Sequence, residues 1–271
     1  MTSNAFDELA AGNAFVERLG DARLVTVFGS SRLVAGDPLL SLARRTAAAF
    51  ASDDYLVLTG AGPGIMAAAA EGAGREHAVG IDIDLPSEPL PEGLIDPSRL
   101  FDTTRFYVRK VLMTKPADAF VVFPGGIGTF DELFEILNLL FTGKLAPAPV
   151  ILMDLPGGIF WGRFQLFLEQ LLVGNRYMSP DNFEAVRQFA HPVEAVEEVR
   201  RFYRNYRGYE RVGDAHRFRL AATPTLGQMD DLSSRIGNAV FTVDGERAVE
   251  FHLPERNYPT IRRVIDVINT W

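Results

Sequence analysis

Three glycine-rich stretches hold the clearest capacity for chemistry: Gly29-Ser30-Ser31, Gly60-Ala61-Gly62-Pro63-Gly64 and Pro124-Gly125-Gly126-Ile127-Gly128-Thr129. Glycines let a backbone approach a ligand closely and turn its N–H groups outward. The third stretch opens a helical pattern over 130–141. A helix start adds unsatisfied N–H donors and a partial positive charge. The combination is an anion site, most often a phosphate site, and Thr129 adds a hydroxyl donor. Glu132 reads two ways: with Thr129 it makes the capping-box pattern T-x-x-E, or its carboxylate stands one turn from a bound anion. Capping alone does not account for Gly125, Gly126 and Gly128 together, since each glycine costs backbone entropy. The second stretch begins as G-x-G, but the next glycine is Gly64, so the dinucleotide fingerprint G-x-G-x-x-G is not completed. Asp82 lies about 20 residues on, where a ribose-binding acid would fall, so dinucleotide binding remains an alternative.

These stretches need elements to hold them. Short apolar runs at 24–28, 55–58, 79–83, 119–123 and 150–153 read as strands covered on both faces. Helical patterns fall between or after them at 38–52, 63–76, 105–115, 129–141 and 159–173. Strand and helix in alternation imply a doubly wound parallel α/β sheet with right-handed crossovers. Each glycine stretch then sits at a strand's carboxyl end, where open parallel sheets bind ligands. A weaker strand is expected at 185–189, a helix over 192–206, and a helix over 5–19 ahead of the first strand. The main domain is expected to span 1–208. Residues 209–271 form a small appendage: runs 238–243 and 248–253 flank Asp244-Gly245, a hairpin signal, and a helix over 258–270 follows.

The 271 residues are 47% hydrophobic and 23% charged, an ordinary globular balance. The absence of cysteine excludes disulfides, thiolate zinc sites and a cysteine nucleophile. His77, His191, His216 and His252 are scattered without metal-ligand spacing, so no metal site is expected. A net charge of −8 argues against non-specific nucleic-acid binding. The first residues lack a basic region followed by an apolar run. No uninterrupted apolar stretch reaches the roughly 18 residues of a membrane span. A cytoplasmic protein without a membrane partner is expected.

The run Pro124-Gly125-Gly126-Ile127-Gly128-Thr129-Phe130-Asp131-Glu132 resembles P-G-G-x-G-T-x-x-E, the signature of the LOG family of cytokinin riboside monophosphate phosphoribohydrolases and their bacterial relatives. Arg109-Lys110 matches that family's R-K pair, and Gly29-Ser30-Ser31 and residues 60–66 match its earlier loops. Leu85-Pro86-Ser87-Glu88 is similar to the L-P-x-E segment of the longer bacterial nucleotide 5′-monophosphate nucleosidases. The resemblance spans 22–207 and implies a Rossmann-like fold. It implies hydrolysis of the N-glycosidic bond of a nucleoside 5′-monophosphate, AMP or a cytokinin riboside monophosphate, giving free base and ribose 5-phosphate. It also implies Arg109 and Glu132 as the catalytic pair. Substrate and phosphate contacts would come from Gly29, Ser30, Gly60, Gly62, Gly64, Glu88, Lys110, Gly125, Gly126, Gly128 and Thr129. No cofactor is implied, and a homodimer is. Taken alone, Arg109 would read as a helix-surface ion pair, Lys110 as a solvated charge and Glu88 as an exposed acid in a proline-rich loop, while Asp82 and Asp84, which share one strand face, read equally as ribose-hydroxyl contacts or as solvated strand-end acids.

Departures from the pattern accompany the match. The second loop is G-A-G-P-G rather than G-G-G-x-x-G, and Phe106-Tyr107-Val108 replaces Met-His-x before the R-K pair. The label lysine decarboxylase, carried by some relatives, would require a lysine Schiff base to pyridoxal phosphate, and the sequence argues for no such site. Two other classes compete: a non-catalytic nucleotide or cofactor carrier on the same fold, and a nucleic-acid binder using the arginines and aromatics of 200–219. That stretch reads better as a solvated or interface helix.

Overall fold

The computed structural model describes residues 4–83, 85, 93–237, 240–244, 247–252 and 258–271; Asp84 and Glu88 lie outside the described residues. The chain divides into two compact units: Met1–Phe134 with Val150–Phe164 and Arg187–Val196, and Glu135–Pro149 with Gln165–Val186 and Glu197–Trp271.

The first unit is built on β1 (Arg23–Phe28), β2 (Tyr55–Thr59), β3 (Ala78–Ile83), β4 (Leu100–Thr103), β5 (Ala119–Val122), β6 (Val150–Met153) and β7 (Val186–Phe189), arranged β4-β3-β2-β1-β5-β6-β7. Pairings from β4 through to β6 are parallel. The apolar runs become fully buried strands: β2, β5 and β6 are buried throughout. Helices α1 (Ala5–Glu17), α2 (Pro38–Ala51), α3 (Ile65–Ala73), α4 (Phe106–Thr114), α5 (Ile127–Phe141) and α6 (Phe160–Leu168) occupy the expected stretches. Right-handed crossovers with this strand order put α2 and α3 on one face and α4 and α5 on the other. The doubly wound, Rossmann-like expectation holds.

β4 was not foreseen. It is a four-residue edge strand, Leu-Phe-Asp-Thr, too short and polar to register as an apolar run. α1 packs on α4 and on β4. Gly12 makes this approach possible, since a Cβ there would lie 2.3 Å from Leu112 Cδ1.

In the second unit, β8 (Tyr206–Val212), β9 (Ala215–Leu220), β10 (Val240–Asp244) and β11 (Ala248–His252) form an antiparallel sheet in the order β10-β11-β9-β8. The expected hairpin is β10–β11, and the expected final helix is α9 (Tyr258–Ile268). Two corrections follow. The helix expected over 192–206 is α7 (Pro192–Phe202), which stops short of Tyr206. The arginine-rich stretch is accordingly no helix beyond Phe202: Val212 pairs with Ala215 across a two-residue Gly213-Asp214 loop, with Gly213 at φ +59°. The 208/209 division falls inside β8. α8 (Leu226–Ile236), also unforeseen, completes the unit.

The end of α9 is fixed by Asn269. Its side-chain oxygen accepts the N–H of Asn205 at 2.7 Å and of Tyr206 at 3.0 Å, while its amide donates to the Phe202 carbonyl at 2.6 Å.

Candidate active site

The order of the larger sheet reverses between β1 and β5, and the loops after these strands flank that point. Open α/β sheets bind ligands in this crevice. The loops are joined directly: Ser30 N–H donates to the Pro124 carbonyl at 3.2 Å, and Ser30's own carbonyl accepts Ile65 N–H at 3.0 Å. The last bond brings in the start of α3. Gly64, at φ +69°, makes that turn, and a Cβ there would lie 2.3 Å from Ser30 O. All three glycine stretches therefore converge.

α5 begins at Ile127, two residues before Thr129. Phe130 N–H donates to Gly126 O at 3.1 Å, so the helix opens at Gly126 and Thr129 lies within its first turn. That position is incompatible with Thr129 as N-cap, and the capping-box reading of Thr129 and Glu132 falls. The first N–H groups of α5 have no intrahelical acceptor, by helix geometry, and their dipoles favour an anion. Gly126 and Gly128 are exposed, with nothing within 4 Å of where a Cβ would stand. Gly125 is different, since a Cβ there would meet Thr129 Oγ1 at 2.2 Å and Ser30 N at 2.9 Å. Phe130 anchors the turn from behind, its ring 4.8 Å from that of Phe164 and 5.8 Å from that of Phe160.

A cleft of about 470 Å³ opens here. Gly29, Ser30, Arg109, Lys110, Gly126, Gly128, Thr129 and Glu132 line it, so both expected catalytic residues face one space. Gly60, Gly62, Gly64 and Gly125 are not in the lining; Gly60, Gly64 and Gly125 stand in close contact behind it. Asp82 is likewise outside the lining. The lining also includes Arg32, Phe28, Met66, Leu85, Phe106 and Ile127, which sequence reasoning did not assign. Arg32 carried a usable signal, being a cation in the loop after a buried strand. The apolar members carried none, because they resemble core residues.

Arg109 is buried rather than exposed on a helix surface. Its Nε donates to the Ile81 carbonyl at 3.0 Å and its Nη2 to the Gly60 carbonyl at 2.6 Å. A Cβ on Gly60 would stand 1.9 Å from that Nη2. Backbone oxygens of two neighbouring strand segments thus fix the orientation of the guanidinium. Lys110 pairs with Asp131 across 2.8 Å, linking α4 to the first turns of α5.

α4 itself is held at both ends. Thr26 Oγ1, buried in β1, donates to the Met113 carbonyl at 2.8 Å. At the other end Glu8 of α1 accepts the N–H groups of Thr104 and Arg105 and pairs with the Arg105 guanidinium.

The class is thus a doubly wound α/β protein whose glycine loops, Arg109 and Glu132 meet in one cleft at the switch point of its sheet. The profile of a family described as "Possible lysine decarboxylase" matches residues 64–199. The chain belongs to this family, the LOG family. The Mycobacterium tuberculosis protein named cytokinin riboside 5′-monophosphate phosphoribohydrolase is 32% identical over 157 residues, 54% of this chain and 77% of that protein. The Arabidopsis thaliana protein of the same name, LOG2, is 30% identical over 109 residues, 40% of this chain and 48% of its own length. Among solved structures, a molybdenum cofactor binding protein from Rippkaea orientalis aligns with a TM-score of 0.47 at 21% identity, over 67% of this chain and 97% of that chain.

Proposed function

We propose that the protein hydrolyses the N-glycosidic bond of a nucleoside 5′-monophosphate, AMP or a cytokinin riboside monophosphate, to free base and ribose 5-phosphate. The observation that carries the reading is the shared cleft: Glu132, Arg109 and the exposed Gly126–Gly128 turn of α5 face one space. The relatives' names point the same way.

The turn and Thr129 would grip the 5′-phosphate, with Ser30 beside them. Glycosidic cleavage passes through an oxocarbenium-like transition state. Glu132, one helical turn beyond the phosphate anchor, would stabilise the cationic ribose and orient the attacking water. The N–C1′ bond breaks, water oxygen bonds to C1′, and one water proton goes with the departing base. Arg109 would present a fixed fork toward ribose, phosphate or base. Phe28, Met66 and Phe106 supply apolar wall for the base.

Release of free adenine from AMP tests the reading and separates an enzyme from a carrier. Glu132→Gln should abolish release while leaving nucleotide binding in place. Undiminished turnover in that variant refutes the assigned role.

A further inference from the structure

The second unit carries a larger hollow of about 690 Å³. Arg217 and Arg219 of β9 and Ala248 of β11, which alternate with the buried Phe218 and Val249, line it, together with Leu220 and Thr223. Strand register sets its floor. Arg219 pairs with Gly208 on β8 and with Ala248 on β11, so its cross-strand neighbours have little or no side chain. A Cβ on Gly208 would stand 2.7 Å from Arg219 Nη2, which places the guanidinium along the glycine backbone. Arg207 and Arg247 join Arg219 in the lining.

The next row differs. Arg217 pairs in register with Glu210 and Glu250 and forms ion pairs with both. Among the described residues, neither Arg219 nor Arg247 has a carboxylate partner. Among the described residues, Arg207 donates to the carbonyls of Tyr203 at 2.5 Å and Arg204 at 3.3 Å and has no carboxylate partner. In a chain of net charge −8, three arginines without a carboxylate partner among the described residues thus line one hollow, beside the paired Arg217 and Glu210.

We propose that this hollow binds a small molecule bearing a pyrophosphate group, its phosphates over Gly208 and Ala248 within reach of Arg207, Arg219 and Arg247. Guanidinium forks match phosphoryl oxygens bidentately. A lone phosphate, at about −1.5 to −2, falls short of three cations. The hollow has the size of a small-ligand pocket rather than an ion niche. Glu210 lines one side and Glu250 pairs with Arg217 in the adjoining row, so a nucleic-acid strand tracking across the sheet would meet carboxylates instead of a continuous basic groove.

The test is calorimetric titration of the full chain with inorganic pyrophosphate, in a Gly128→Glu background that puts a negative charge in the catalytic cleft. One equivalent should bind. Arg219→Glu should weaken binding by about tenfold or more. Arg247→Gln, at an exposed position, should do likewise and repeats the test if Arg219→Glu does not fold. Arg45→Glu, the same charge change on exposed α2, should leave binding unchanged. The proposal is overturned by no binding at millimolar pyrophosphate, by an equal loss in Arg45→Glu, or by orthophosphate binding as tightly. Tighter binding of a single-stranded oligonucleotide, lost in the same variants, would assign the surface to nucleic acid instead.

Discussion

The Glu8 carboxylate, on α1, accepts the backbone N–H of Thr104 at 2.8 Å and so caps α4 from another element. α4 has no cap of its own, since the Arg105 side chain makes no capping bond at that helix start. Burial raises the Glu8 pKa, but the hydrogen bonds from Thr104 and Arg105 outweigh it and hold the carboxyl below its ordinary value. A carboxylate with a lowered folded-state pKa stabilises above its unfolded pKa and loses that contribution as pH falls through the folded value. Glu8→Gln should therefore cost about 2 kcal/mol at neutral pH. The gap to the parent should shrink as pH drops below the ordinary glutamate value of 4.5. Denaturant melts at several pH values check both the size and the sign.

Gly60 lies outside the cleft lining, yet its substitution should be felt there. Gly60→Ala would drive a methyl into Arg109 Nη2. Misplacing a catalytic group by about 1 Å can cost on the order of a hundredfold in rate. Steady-state kinetics should show kcat falling by about that factor, while circular dichroism shows an intact fold. Unchanged kcat would remove Arg109 from the catalytic step.

The glycines of the third loop should separate into two kinds. Gly125→Ala meets Thr129 and Ser30 and should destabilise by about 1–3 kcal/mol. Gly128→Ala meets nothing and should be neutral or slightly stabilising, as alanine is up to about 1 kcal/mol the better helix former. Inorganic phosphate should compete with substrate in the parent and less effectively in Gly128→Ala. Thermal melts and inhibition curves decide the two halves separately.

Asn269→Leu should cost the second unit about 2–3 kcal/mol, because it strips the shared acceptor from two buried N–H groups, those of Asn205 and Tyr206. Thermal unfolding measures the loss. An effect within 0.5 kcal/mol, the size of an ordinary surface change, would show that other contacts fix this helix end.

Legibility in the sequence followed physical type. β1, β2, β3, β5 and β6 could be read because strands covered on both faces are uninterrupted apolar runs. β9 could have been read and was not: His216, Phe218 and Leu220 are buried while Arg217 and Arg219 point outward, a period of two that the arginine count obscured. Likewise Thr225 and Gln228 form a capping box at the start of α8, a signature present in the sequence. Glu132, Thr129 and Arg109 were found through a motif. The restraint on Arg109 was not visible, since its partners are carbonyls 28 and 49 residues away and any residue type can supply a carbonyl. Glu8's action on residues 96 and 97 positions later was equally hidden.

The hydrogen bond from Ser30 to Pro124 has a kinetic corollary. β1 and β5 are laddered together up to Phe28 and Val122, immediately before the two loops this bond joins. Either loop can swing aside only by giving up this bond. If the proposed 5′-phosphate binds here, the joined loops present it with a wall already in shape, and capture should proceed in one bimolecular phase whose rate rises linearly with ligand concentration, without the plateau that a slow loop isomerisation would impose.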